Sequence, residues 1–143
     1  MRSLFIRNII IVLFLAGCGN GVNISEHYSF PNEIWQRFKN PIIEASISHP
    51  GVKYIMYVEL EYDASLAPAQ LPVTVIMKTP SGEIRSRNIN LKPDPDQNII
   101  RVTLRKDFAF TEKGICSFEI ENRSQYVETQ GMKRIGVIME AMD

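Results

Sequence analysis

From residue 42 onward, apolar and polar positions alternate along most of the chain. In "KYIMYVELEY", Tyr54, Met56, Val58, Leu60 and Tyr62 are apolar, and Lys53, Glu59 and Glu61 fall between them. This is the period of a strand with one buried face. Leu71 to Thr79 repeats the pattern with Leu71, Val73, Val75 and Met77. Asn98 to Lys106 repeats it with Ile100, Val102 and Leu104 opposite Arg101, Thr103 and Arg105. "GICSFEIEN" aligns Cys116, Phe118 and Ile120, Lys133 to Glu140 aligns Ile135, Val137 and Met139, and Ile42 to Ser48 aligns Ile43, Ala45 and Ile47 more weakly.

Turn residues fall between these runs. In "TPSGE", Thr79 to Glu83, Pro80 presets one central turn position and Gly82 is free to take positive φ, which joins Leu71–Thr79 to a polar strand, Glu83 to Leu91. The Arg, Ser and Asn content of that strand suits a sheet edge. "SHPG" is a turn, and "LAPAQLP" and "KPDPDQN" are loops because Pro cannot donate within a central strand. The pattern predicts about seven antiparallel strands in an all-β sandwich, with an open barrel as the alternative architecture and one or two helical turns at Arg123 to Gln130.

The first residues follow another rule. Arg2 and Arg7 precede an apolar core from Ile9 to Ala16, which is too short to span a bilayer and has the anatomy of a secretory signal. Leu15, Ala16, Gly17 and Cys18 resemble the bacterial lipobox, in which the Cys sulfur accepts diacylglycerol before the signal is cut. The expectation is a signal peptide over residues 1–17, a lipidated Cys18 with a flexible tether over residues 18–27, and one β-domain over residues 28–143. Three acyl chains would hold such a protein stably at a membrane. Gly19 in place of Asp favours the outer membrane under the lipoprotein sorting rule.

Charge and cysteine content narrow the classes. The chain of 143 residues carries 16 basic and 16 acidic side chains. Loss of the segment before Cys18 removes Arg2 and Arg7 and no acid, leaving a net charge of about −2, without the positive field a nucleic acid requires. With Cys18 acylated, Cys116 has no disulfide partner, and its place in the apolar phase makes it a small buried hydrophobe.

Candidate chemistry is sparse. Asp94, Asp96 and Asn98 begin like a calcium loop, but Ile99 and Arg105 stand where the loop needs Gly and Glu. Glu59 with Glu61, and Glu119 with Glu121, form carboxylate pairs on strand faces and read as solubilising groups. Acid–base catalysis would need the members of each pair in different environments. His27 and His49 lack further ligands at metal spacing, and no nucleophile or phosphate-loop motif is present in the sequence. No catalytic residue, metal or cofactor is expected. Candidate partner contacts are Trp35, read as a cap on one end of the sandwich or as a partner anchor, and a basic stripe of Arg85, Arg87, Arg101 and Arg105 if their strands are neighbours.

"YSFPNEIW" resembles the opening of the GldH family of gliding-motility lipoproteins, in which an aromatic-Ser-x-Pro stretch precedes a Trp. "VIMKTPSGEI", "FAFTEKGICSFEIEN" and "MKRIGVIME" continue the likeness over most of Tyr28 to Glu140, while "LAPAQLPVTV" and "KPDPDQNIIRV" depart from the family pattern. The resemblance implies a lipid-anchored, non-enzymatic component of envelope machinery for motility and protein secretion. Its partners would be the membrane, through Cys18, and other envelope proteins. The alternative from the residues themselves is a periplasmic or surface module that binds glycan or another small ligand.

Overall fold

A computed structural model describes residues 22–142; the expected signal segment and Cys18 lie outside them. The described residues form ten strands: β1 (Ile24–Ser29), β2 (Ile34–Gln36), β3 (Ile42–Ile47), β4 (Lys53–Tyr62), β5 (Leu71–Lys78), β6 (Ile84–Leu91), β7 (Ile99–Ala109), β8 (Gly114–Asn122), β9 (Glu128–Gln130) and β10 (Met132–Ala141). One four-stranded sheet has the order β1-β10-β4-β7 and the other β3-β8-β5-β6, while β2 and β9 make a two-stranded ribbon. Every pairing is antiparallel. The protein is an all-β antiparallel sandwich, as the alternation predicts.

The core lies between the two four-stranded sheets. Tyr54, Met56, Val58, Leu60 and Tyr62 of β4 face Val73, Val75 and Met77 of β5 and Phe118 and Ile120 of β8, all buried. Cys116 is in this layer and has no access to solvent.

Three strands depart from the sequence expectation. Ile24 to His27, expected as tether, lie in β1, which pairs along its length with β10 from Ile24 opposite Met139 to Ser29 opposite Arg134. Arg123 to Gln130 forms no helical turn: its last three residues are β9, and Thr129 lies opposite Trp35 of β2. The pull of pairing over a buried Trp outweighs weak helix propensity in an eight-residue polar segment.

β7 carries two register shifts against β4. Tyr54 faces Phe108, Met56 faces Arg105, and Tyr57 faces Thr103, so extra residues of β7 are accommodated in bulges. Asp107, in the first bulge, has φ of 56°, a conformation Asp tolerates better than most residues. Arg105 thereby falls opposite inward-facing Met56, whereas Arg101 stays opposite outward-facing Glu59.

The strands run between two ends of the sandwich. At the entry end, Tyr54 donates its hydroxyl to the Val22 carbonyl at 3.1 Å, and the Asn23 side chain accepts from the Ala141 N–H at 2.8 Å. The Thr79–Glu83 hairpin and the turn whose Gly51 N–H donates to Phe110 lie at the same end. The remote end holds the β2–β9 ribbon, the loop after Tyr62, the loop before Ile99 and the segment from Arg123 to Val127.

Candidate binding site at the remote end

The chain reaches the remote end at Phe30, whose N–H donates to Lys133 at 3.1 Å, and turns there through Pro31, Asn32 and Glu33. Pro31 fixes the first φ; Asn32 and Glu33 then take φ of 57° and 58°. Two successive non-glycine residues in the left-handed region cost on the order of 1 kcal/mol each. The turn sends Trp35 back under the sandwich.

An aromatic row results. Tyr28 meets Phe30 edge-on with centroids 5.3 Å apart, and Phe30 lies 5.1 Å from Trp35. Trp35 is 1% exposed, and its indole N–H donates to the Lys39 carbonyl at 3.1 Å. It caps the sandwich, the first of its two expected roles; its buried ring is not exposed as the partner anchor that was the second. A cleft of about 250 Å³ opens beside the row, with Asn32, Gln36 and Lys39 on its rim.

Past the cleft the ribbon continues. The Arg37 N–H donates to the Val127 carbonyl at 2.8 Å just beyond the Gln36–Glu128 pair, and the chain then turns at Phe38, the Lys39 N–H donating to the Gln36 carbonyl at 2.9 Å. Phe38 is 80% exposed, Val127 64% and Tyr126 45%. The Arg37 guanidinium lies 5.4 Å from the Phe38 ring centroid, a cation–π contact at the margin of this apolar tip. Phe38 stands in "RFKN" between two cations, which was the only sequence sign of exposure; Tyr126 and Val127 gave none.

The expected arginine stripe divides. Arg101 lies on the outer sheet face, 3.0 Å from Glu59 and 3.5 Å from Glu140, over the Tyr57 ring at 5.0 Å. Arg85 and Arg87 are opposite the buried Met77 and Val75, so they share the core-facing side of β6. They approach Arg105 where β6 runs beside β7.

The carboxylate pairs are occupied by neighbours. Glu59 sits between Arg101 and the His27 Nε2, 3.5 Å from the latter without hydrogen-bond alignment. Glu61 accepts from Arg134 at 2.7 Å and Glu119 from Asn40 at 2.8 Å, and Glu121 lies 3.7 Å from Arg123. These groups point outward from regular strands toward separate partners, an arrangement for surface ion pairs. His27 belongs to β1, and His49 lies 3.2 Å from the Ser48 hydroxyl in its turn.

The "DPDQN" loop folds on itself. The Asp94 carboxylate accepts the Asp96 N–H at 2.9 Å, and the Tyr62 hydroxyl donates to the Asp94 carbonyl at 2.7 Å while accepting its N–H at 2.8 Å. Among the described residues, no three His, Cys, Asp or Glu side chains gather in a metal-binding group. Burial pushes the Cys116 thiol up to about 12, which keeps it protonated and a poor nucleophile.

No family model and no curated protein matches the chain. Among solved structures it is similar to a xylan-binding domain from CBM 22, with 9% identity over 87% of this chain and 90% of that one and a TM-score of 0.41.

Proposed function

We propose that this protein is a lipid-moored, non-enzymatic component of the bacterial envelope that holds a partner protein at the tip formed by Phe38, Tyr126 and Val127. One observation carries the reading: this exposed apolar tip is at the end of the sandwich remote from the entry of the chain. A domain held by Cys18 only four residues before Val22 would present the tip away from the bilayer. Mooring confines such a tip to a thin layer, where even weak contacts reach a high effective concentration. The likeness to the GldH family supports a partner within motility or secretion machinery, the lipobox supports a lipid anchor on Cys18, and Gly19 supports its placement in the outer membrane.

The test is affinity purification of the membrane-extracted protein beside its Phe38→Ser and Val127→Ser variants. Envelope proteins that accompany the parent and are lost from both variants support the reading. Identical partners from all three contradict it.

A glycan-binding role is the second reading, favoured by the cleft beside Tyr28, Phe30 and Trp35 with polar Asn32, Gln36 and Lys39 at its rim. Hydrogen bonds from Asn32, Gln36 and Lys39 to hydroxyls and apolar contact with the half-buried Tyr28 are the interactions such a cleft offers. Retention of polysaccharide by the parent and its loss in Gln36→Ala would favour this reading over the scaffold.

A further inference from the structure

Arg85, Arg87 and Arg105 converge in the seam between the two sheets. Core-facing positions of β6 and a bulge of β7 bring them together. Arg85 and Arg105 lie over the same ring, 5.4 Å and 6.0 Å from the Phe108 centroid. The nearby acid is Glu83, which binds Arg85 through two hydrogen bonds of 2.7 Å and 2.9 Å. Burial first, and then the charges of Arg85 and Arg87, hold the Arg105 pKa below its usual value. Inward-pointing charge also guards the exposed edges of β6 and β7 against pairing. With Arg85 and Arg105 over one ring, Arg87 close enough to act on Arg105, and Glu83 engaged by Arg85, the cluster keeps an excess of positive charge that an anion would complete.

The seam's place in the fold selects the anion. Ile84 follows the Thr79–Glu83 hairpin and Phe108 faces Tyr54, whose hydroxyl holds Val22, so the seam opens at the end where the chain enters. Lys53, Lys78 and Lys113 add positive charge at that end, and Glu44, Glu83, Asp107, Glu112 and Glu140 offset part of it. A domain moored through Cys18 would hold this end within about 14 Å of the lipid surface. We propose that the Arg85–Arg87–Arg105 seam binds the phosphate groups of anionic lipid headgroups, docking the sandwich upright on its membrane. This rests on the lipid-moored reading. Arginine suits the task because its planar fork meets phosphate oxygens in pairs.

The experiment uses the membrane-extracted full chain reconstituted in vesicles of phosphatidylcholine alone or of phosphatidylcholine with phosphatidylglycerol. Amide hydrogen exchange is read over residues 84–87 and 104–108. Slowing by roughly tenfold on the anionic vesicles is expected, with loss of the effect in an Arg85→Gln/Arg105→Gln variant and at high salt. Unchanged exchange across β8 shows that the variant is folded, and Arg101→Gln, on the other sheet face, keeps the slowing. Equal exchange on the two vesicle types overturns the proposal. Equal slowing by inorganic phosphate without vesicles overturns the lipid as its source. The mass of Cys18 in the same sample separates the outcomes: an acylated chain with no lipid-dependent slowing sinks the docking seam and leaves the mooring intact.

Discussion

The His27 imidazole packs over Gly136, its cross-strand neighbour, and reaches toward Glu59 on the next strand, 3.5 Å away. A Cβ on Gly136 would collide with His27 Cδ2 and stand 2.8 Å from the Glu26 carbonyl oxygen. Gly136→Ala is therefore expected to destabilise the fold by about 1–3 kcal/mol in urea denaturation. Adding His27→Ala removes the side-chain collision but not the backbone one, so the double variant should recover part of the loss. Full additivity of the two changes would show that the contact is not the cause.

Trp35 is the sole tryptophan and is buried against Phe30, so its fluorescence should be blue-shifted in the native protein and shift red in one transition with unfolding. Trp35→Ala should cost about 3–5 kcal/mol by emptying the end of the core. Trp35→Phe should cost less, because it keeps most of the packing and loses the bond to Lys39.

The Cys116 thiol sets a pH limit. In the folded chain its pKa is raised from 9.0 to about 12 by burial, while the unfolded chain releases the proton near the lower value. The folded pKa being the higher, this contribution is fully present below pH 9.0 and is lost as pH rises toward 12. Tyr54, also raised by burial, acts in the same direction. The free energy of unfolding from urea denaturation should fall on passing from pH 8 to pH 11 in the parent by about 2–3 kcal/mol, and less in Cys116→Ala. At pH 8 a thiol reagent should label Cys116 only at the rate of unfolding.

The arginine seam trades stability for its charge. Replacing one of three facing cations by an apolar chain of similar length relieves repulsion beside Phe108, so Arg105→Met is expected to raise stability by about 1 kcal/mol without anionic lipid. Thermal unfolding at low salt measures it. A large loss would mean that Arg105 is fixed by packing alone.

The strands with a clean period of two were legible because one face of each is buried: β4 and β8 show it residue by residue. β1 was not, since its edge position buries no regular face and "ISEHYS" alternates poorly. β2 and β9 span three residues each, too few for a period, and pair across a distance in sequence that no local signal carries. Arg85 and Arg87 share the phase of inward-facing Ile89 and Leu91, but in so polar a strand that phase reads as a surface stripe, and only the bulges of β7 bring Arg105 to them. The apolar tip at Phe38 was hidden because exposure depends on what the fold leaves uncovered. The lipobox, by contrast, is wholly a matter of sequence.

The mooring of this domain is tested most directly by the intact mass of the protein extracted from membranes. The expected result is a chain that begins at Cys18 and carries the mass of diacylglycerol and an amide-linked acyl group. A chain with an unmodified Cys18, released from membranes without detergent, would contradict it.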